Sequence, residues 1–211
     1  MNSRILIVDD HSVVRRGLKQ ILEDEFKKAE FGEASNAGEA LERVRKEAWD
    51  AVVLDITMPG RSGLEALKEI KEAKPKLPVL VLSMHPEDQF AVRVLKSGAS
   101  GYMTKESAPE ELVGALKKVL ARGRYVSAVL AEKMASYLAI DTPKPPHERL
   151  SDREFVVLRM IASGKTVSQI AEELSLSVKT VSTYRTRILE KTGMMSNAEL
   201  THYAIKNQLV E

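Results

Sequence analysis

Short apolar runs alternate with amphipathic stretches over residues 1–122. The runs are Ile5–Val8, a weaker one at Phe31–Ala34, Ala51–Leu54, Val79–Leu82 and Gly101–Met103. Three of them are uninterrupted and rich in Val, Ile and Leu, the way strands buried on both faces read. Between the runs, apolar residues recur at helical spacing. Val14, Leu18, Ile21 and Leu22 line the first such face, and Ala37, Leu41 and Val44 the second. Leu64, Leu67 and Ile70 form the third, Val94 and Leu95 the fourth, and Leu112, Leu116, Val119 and Leu120 the fifth. A five-fold strand–helix repeat predicts an α/β fold: a five-stranded, doubly wound parallel sheet of flavodoxin-like character.

The pattern then changes. Gly123 follows the fifth helix as a candidate C-cap, and residues 127–139 read as one more helix, with Val129, Leu130, Met134 and Leu138 apolar. Three prolines within Pro143-Lys144-Pro145-Pro146 cannot continue it, so residues 141–147 read as an extended linker. Beyond the linker the periodicity is purely helical. Ser151 and Glu154 have capping-box spacing ahead of Val157, Leu158 and Ile161. A short helix follows from about Thr166 or Val167 to Leu174. Ser177 caps another, about 178–191, which Gly193 stops, and a fourth covers about 197–206. The expected organisation is an α/β domain over 1–122, a linker with a helix over 123–147, and a smaller all-α, four-helix domain over 148–211.

Composition narrows the chemistry. The chain has 211 residues and no cysteine, so disulfides and thiolate metal sites are excluded. No apolar stretch is long enough to span a bilayer, and the run at Ile5–Val8 is too short for a signal peptide, so a cytoplasmic protein without membrane attachment is expected. The net charge of +2 says little. More telling is the stretch from Lys179 to Lys191, where Lys179, Arg185, Arg187 and Lys191 face Glu190 alone. Projected as a helix, Val178, Val181 and Ile188 fall on an inward side. Lys179, Thr183, Thr186 and Glu190 fall opposite, flanked by Ser182 and Arg187. A groove-reading helix and an ordinary solvated face fit this projection equally.

In a doubly wound sheet, ligands bind at the carboxyl ends of the strands. The first strand runs into Asp9-Asp10, the third ends in Asp55, the fourth in Ser83, and Thr104-Lys105 follow the fifth. Taken singly, each acid is better explained by a loop start or a helix cap. Taken together, three carboxylates, a hydroxyl and an ammonium converge on one edge. Such carboxylates repel, and a hard divalent cation relieves the repulsion. An oxygen-only donor set points to Mg²⁺ rather than zinc. A carboxylate beside Mg²⁺ can attack a phosphoryl group to give an acyl phosphate. Tyr102 in the fifth strand and Trp49 before the third read as packing residues. His11, His85, His147 and His202 show no metal-ligand spacing.

These segments resemble a known family. Ile5-Leu6-Ile7-Val8-Asp9-Asp10-His11, Val53-Leu54-Asp55-Ile56-Thr57-Met58-Pro59-Gly60 and Gly98-Ala99-Ser100-Gly101-Tyr102-Met103-Thr104-Lys105 are similar to the marker segments of response-regulator receivers. The likeness covers about residues 3–122. It implies that Asp55 is phosphorylated and that Mg²⁺ is held by Asp10, Asp9, Asp55 and the main-chain carbonyl of Thr57. It also implies that Ser83 and Lys105 contact the phosphate and that Tyr102 turns inward on activation. Two positions depart from the pattern: Met84 replaces a small residue, and Glu106 replaces a proline, which argues against a cis peptide there. Leu150-Ser151-Asp152-Arg153-Glu154, Ile170-Ala171-Glu172-Glu173-Leu174 and Ser177-Val178-Lys179-Thr180-Val181-Ser182-Thr183-Tyr184 resemble the LuxR-type helix-turn-helix domain. That likeness implies base contacts from Ser182, Thr183 and Thr186, backbone contacts from Lys179, Thr180, Tyr184 and Arg187, and dimerisation through the last helix, with Leu200, Tyr203 and Ala204, for which core packing within the domain is the alternative and compatible reading.

Together the two resemblances describe a two-component response regulator of the NarL/FixJ type. It would be a phosphorylation-switched transcriptional regulator rather than a metabolic enzyme. Its partners would be a sensor histidine kinase and double-stranded DNA bearing an inverted repeat, with a homodimer as the active form. The main rival is a constitutive DNA-binding regulator whose receiver serves only for protein interaction. A phosphohydrolase would place a second acid two residues beyond the nucleophile, where Thr57 stands. The phosphate-binding loop Gly-x-x-x-x-Gly-Lys of nucleotide hydrolases is missing.

Overall fold

The computed structural model describes residues 3–58, 63–84, 87–128, 130–132, 145–207 and 209–210, with the side chains of 87–90 outside the description. The chain divides into two compact units, Met1–Ala139 and Ile140–Glu211.

The first unit is a five-stranded parallel sheet in the order β2-β1-β3-β4-β5, formed by β1 (Arg4–Val8), β2 (Glu30–Ala34), β3 (Ala51–Asp55), β4 (Val79–Ser83) and β5 (Gly101–Thr104). The connecting helices are α1 (Ser12–Glu25), α2 (Ala37–Lys46), α3 (Gly63–Ala73), α4 (Glu87–Lys96) and α5 (Ala108–Leu120). This is the flavodoxin-like strand order, whose crevice opens beside β1 and β3 at the carboxyl edge. Every residue of β3 and β4 is buried, as their continuous apolar sequences require. The helical stripes point inward: Leu18 and Leu22 pack with Ile5, Ile7, Val53, Leu80, Met103, Leu112 and Leu116 in one core.

The fifth helix ends otherwise than expected. Its left-handed residue is Arg122 (φ 64°), not Gly123. Arg122 N–H donates to Val119 O and Gly123 N–H to Lys118 O, the paired bonds of a Schellman ending. Tyr125 then bridges Gly101 on the outer edge of β5, a partner the sequence did not signal. Of the helix expected over 127–139, residues 128 and 130–132 are helical and 133–139 lie outside the described residues.

The second unit holds α6 (Asp152–Ala162), α7 (Val167–Glu173), α8 (Val178–Thr192) and α9 (Asn197–Lys206). The caps follow the sequence signals. Ser151 and Glu154 form a complete capping box, and Thr166 with Gln169 forms a second. Ser177 accepts from Thr180 N–H, and Gly193 ends α8 at φ 72°. Residues 141–144 of the expected linker lie outside the described residues. Of the described linker residues Pro145 is extended, and Pro146–Arg149 form a 3₁₀ turn. Proline suits the first position of such a turn, where an N–H has no partner anyway. His147 belongs with this unit: its Nδ1 lies 2.7 Å from the Tyr203 hydroxyl and its ring stands 6.0 Å from that of Phe155.

One polar group is buried in this core. Glu154 is 2% exposed and accepts from Ser151 N–H at 2.7 Å and from Lys191 Nζ at 2.6 Å. Burial acts to push its carboxyl up. Lys191 and the Ser151 amide and hydroxyl outweigh that and hold it below the usual 4.5. The pair pins the start of α6 to the end of α8, so Glu154→Ala should cost about 2–3 kcal/mol through an unmade cap and a lost charge-assisted bond. Calorimetry of the full chain checks this: the transition of the second unit should fall while that of the first stays in place.

Candidate functional site

The carboxyl edge of the sheet gathers the acids. Val8 and Leu54 pair in register, so the chain leaves β1 at Asp9 beside Asp55 on β3. Carboxylate oxygens of Asp9, Asp10 and Asp55 and a ring nitrogen of His11 all lie within 4.8 Å of one another. Asp9 and Asp55 are buried, whereas Asp10 is partly open. The Lys105 ammonium enters from beyond β5. Its Nζ stands 2.8 Å from Asp55 Oδ2 and 2.6 Å from Asp9 Oδ2. The Asp55 contact is a hydrogen bond, but the Asp9 contact lacks hydrogen-bond geometry.

Thr57 N–H donates to Asp55 Oδ1 at 2.9 Å and so fixes the carboxylate's rotamer. Ser83 ends β4 fully buried, and its carbonyl accepts from Lys105 N–H at 2.8 Å, which holds the base of the lysine stem to the β4 end. Tyr102 is fully buried, its ring inside the core. Met84, the bulky residue after Ser83, is 70% exposed and points to solvent. Pro59 and Gly60 of the third-strand segment lie outside the described residues.

Two neighbours of the acids were not read from the sequence. His11, whose sequence position showed no metal-ligand spacing, reaches back so that Nδ1 is 3.0 Å from Asp10 Oδ1. Its backbone N–H also donates to Asp9 Oδ1 at 2.8 Å. Arg15, one helical turn on, donates from its guanidinium to Asp9 O at 2.7 Å and to Glu33 on β2 at 3.3 Å. The sequence signal for Arg15 was its spacing of one turn from His11, which turns it toward the same loop.

The electrostatics follow from burial. Burial is the largest influence on Asp55, and the Asp9 charge adds to it. Lys105 and the Thr57 amide pull the other way without winning, and the carboxyl is pushed from 3.8 up to about 6. Burial alone would lower Lys105, but the hydrogen bond to Asp55, the close ion pair with Asp9 and the charges of both acids hold it above its usual 10.5. Two buried carboxylate oxygens, Asp9 Oδ2 and Asp10 Oδ1, have no hydrogen-bond partner among the described residues. Buried anionic oxygens that accept no hydrogen bond are costly even beside Lys105 and His11, and a hard oxygen-seeking cation is what such a set accommodates. The residues therefore fit Mg²⁺, with Asp9, Asp10 and Asp55 as the carboxylates that would hold it.

In the second unit, α7 and α8 form a helix-turn-helix joined through Ser175, a left-handed residue (φ 53°). On α8, Lys179, Ser182, Thr183, Thr186 and Arg187 are exposed, and Thr180 and Tyr184 are half-buried. The Thr183 and Thr186 hydroxyls donate to the carbonyls one turn back, which leaves their lone pairs facing out. Val181 and Ile188 are buried as projected, but Val178 is 51% exposed. It occupies the first helical position, ahead of the point where α8 meets the core. Arg185 belongs to the basic stretch by sequence, yet its guanidinium donates to Asn197 at 2.6 Å, across to α9. Leu200 and Ala204 are fully buried within the unit and Tyr203 holds His147, so these three serve packing inside the domain. Among the described residues, the large apolar side chain that α9 exposes is Ile205, at 55%. Among the described residues, no helix is long and apolar enough to cross a membrane.

The response-regulator receiver domain family matches residues 5–117, and the luxR family of bacterial regulatory proteins matches residues 148–204. The chain is a response regulator of the NarL/FixJ family. It is 38% identical to response regulator UvrY of Escherichia coli over 206 residues, covering 97% of this chain and 94% of that one. It is 37% identical to response regulator GacA of Pseudomonas aeruginosa, covering 99% and 98%. Among solved structures, RcsB of Salmonella enterica serovar Typhimurium, bound to promoter rprA in the presence of a beryllofluoride phosphomimetic, matches with a TM-score of 0.66. The identity is 29%, over 96% of this chain and 98% of that one. This regulator thus joins a receiver to a LuxR-type DNA-binding domain, the architecture of a two-component transcription regulator.

Proposed function

We propose that this regulator is a phosphorylation-switched, DNA-binding transcription factor of the cytoplasm, with Asp55 as the phosphoacceptor. One observation carries the reading: Asp55 is buried, faces Asp9 and Asp10, and offers Oδ2 to Lys105 at 2.8 Å. The donor is a phosphohistidine of a sensor kinase. An Asp55 oxygen attacks phosphorus in line, the N–P bond breaks as the O–P bond forms, and the histidine nitrogen leaves with the electron pair.

Asp9, Asp10, Asp55 and the Thr57 carbonyl would hold Mg²⁺, which supplies charge neutralisation for the transferring oxygens when bound. Asp55 must be ionised and released from Lys105 to attack. Lys105 then pairs with the new phosphoryl oxygens, and the Ser83 hydroxyl donates to one of them. The added charge, about −2, ties Ser83 and Lys105 together around the phosphate. Tyr102, expected to turn inward on activation, is already fully buried on β5 and is the side chain through which β5 passes that change to the helices.

On the DNA side, α8 enters the major groove, Ser182, Thr183 and Thr186 meet base edges, and Lys179, Thr180, Tyr184 and Arg187 meet the backbone. Residues 1–122 act as the receiver, 123–147 as the linker, its last residue His147 packed onto the domain that follows, and 148–211 as the DNA-binding domain. The active form is a homodimer on an inverted repeat, paired through the exposed side of α9 around Ile205. A selection of bound DNA fragments, run with and without acetyl phosphate and Mg²⁺, tests this. It should enrich an inverted repeat bound at least about tenfold more tightly, about 1.4 kcal/mol, by the phosphorylated form. Equal enrichment in both arms would favour the constitutive rival.

A further inference from the structure

At the end of the sheet opposite Asp55, a cavity of about 440 Å³ opens between the chain entering β3 and the chain entering β4. Its walls include Trp49, Leu77 and Pro78, and its mouth carries Lys74, Lys76 and Arg122. The volume lies within the range of small-molecule sites, roughly 300–1,000 Å³. An apolar wall with cations at the rim selects a ligand that is flat and apolar at one end and anionic at the other.

Three features separate this cavity from an ordinary lysine-bearing surface. Its charge is unbalanced. The one carboxylate in its lining, Glu47, is already engaged by Arg4 at 2.9 Å. Among the described residues no acid pairs with Lys74, Lys76 or Arg122. Cations also crowd behind the rim. The Lys71 ammonium, which donates to Leu77 O, is pushed below its usual value by burial and by the charges of Arg122 and Arg124. Finally, Arg122 is left-handed, at a helix ending where glycine would cost nothing. Strain at a non-glycine residue, about 1–2 kcal/mol, points to a use for its side chain. The Arg122 guanidinium donates to Lys76 O and stands at the cavity mouth.

Trp49 is held in one orientation. Its Nε1–H donates to Arg43 O at 3.3 Å, and the Arg4 guanidinium covers the ring at 4.7 Å. Its far edge packs on Gly32, where any Cβ would come within 2.9 Å of the ring. The indole is thereby fixed in place at the cavity wall.

We propose that this cavity binds a nucleotide-class ligand, its base against Trp49 and its phosphates between Lys74, Lys76 and Arg122. The site is independent of the phosphoacceptor and gives the receiver a second, small-molecule input. Trp49 is the only tryptophan of the chain and so reports directly. The full chain is titrated with ATP and GTP, with adenosine and pyrophosphate as separate arms, following Trp49 emission and, in parallel, binding heat.

Saturable binding with half-saturation below about 0.1 mM is expected for a nucleotide. Adenosine and pyrophosphate should each bind at least about tenfold more weakly. In the Lys76→Glu/Arg122→Glu variant, nucleotide binding should weaken by at least about tenfold while labelling of Asp55 is unchanged. No saturable heat or emission change with either nucleotide would overturn the proposal. So would an equal response in the variant, or pyrophosphate binding as tightly as ATP, which would mark a plain anion site. Because labelling of Asp55 is read separately, failure here leaves the phosphoacceptor reading untouched.

Discussion

Gly63→Ala should cost about 3 kcal/mol or more and disable the acidic site with it. Gly63 opens α3 and is buried, and its N–H donates to Ile56 O at 3.1 Å. That bond draws the first turn of α3 onto the chain leaving β3. A Cβ on residue 63 would collide with Asp55 O and lie 2.6 Å from Ile56 Cα. Both are backbone atoms of a buried segment, so rotamer changes cannot relieve the clash. Either α3 lifts from the sheet or residues 55–57 shift, at the upper end of overpacking costs. A shift there breaks the Thr57 bond that orients Asp55. Denaturation followed at Trp49, which lies in the first unit, should show the loss of stability. Phosphoryl labelling of Asp55 should fall in the same variant under conditions where it remains folded. A variant with unchanged stability would mean that the α3 start yields more easily than its hydrogen bonding indicates.

Asp55→Asn should have the opposite sign. Without metal, wild-type Asp55 is a buried carboxyl pushed to about 6 from an ordinary 3.8. In the unfolded chain it ionises near 3.8. Between that value and about 6 the folded chain holds a proton that the unfolded chain has released, so stability falls as pH rises through this window. Above it the full penalty, of the order of 3 kcal/mol, is present. Asparagine keeps the shape of the neutral acid and avoids the penalty. In metal-free buffer at pH 7.5, about 1.5 pH units above the folded pKa, the variant should be about 2–3 kcal/mol more stable. The difference should shrink on acidification and vanish below 3.8, where wild-type Asp55 is protonated in both states. Millimolar Mg²⁺ should stabilise the wild type and narrow the difference from the other side. A gap that grew on acidification would contradict the burial account.

Stability is spent here on reactivity. Lys105 spans Asp55 and Asp9 and offsets part of the repulsion among the acids, yet two carboxylate oxygens still lack hydrogen bonds. A site arranged for folding alone would replace one of these acids with an amide. Retaining them keeps a place for a cation and an ionisable nucleophile beneath it.

The sheet was legible because its strands are buried on both faces. Val79–Leu82 and Ala51–Leu54 admit no polar residue, and their ends could be read to within a residue. The acids were legible for the same reason: a carboxylate directly after a buried strand can only stand at the sheet edge. His11 and Arg15 were not, because their approach depends on how the β1–α1 turn folds back. That turn is fixed by the His11 N–H bond to Asp9 rather than by periodicity. Projection placed Val178 inward because a helical wheel ignores where along its length a helix meets the core. It could not decide between core and dimer roles for Leu200 and Ala204 either, since both demand apolar side chains. The turn at Pro146 was hidden by its neighbours: three prolines forbid an α-helix, but a proline-led 3₁₀ turn remains open to them. The edge contributed by Tyr125 gave no signal, because a single bridging residue has no period.

The most direct measurement is phosphoryl transfer to the intact chain. The protein is incubated with acetyl phosphate, with and without Mg²⁺, and examined by intact mass and peptide mapping beside Asp55→Ala. The wild type should gain one phosphoryl group only when Mg²⁺ is present, and the adduct should map to Asp55. Asp55→Ala should gain none. A Mg²⁺-dependent adduct that persists in Asp55→Ala would contradict the assignment of the acidic cluster around Asp55 as the phosphoacceptor site.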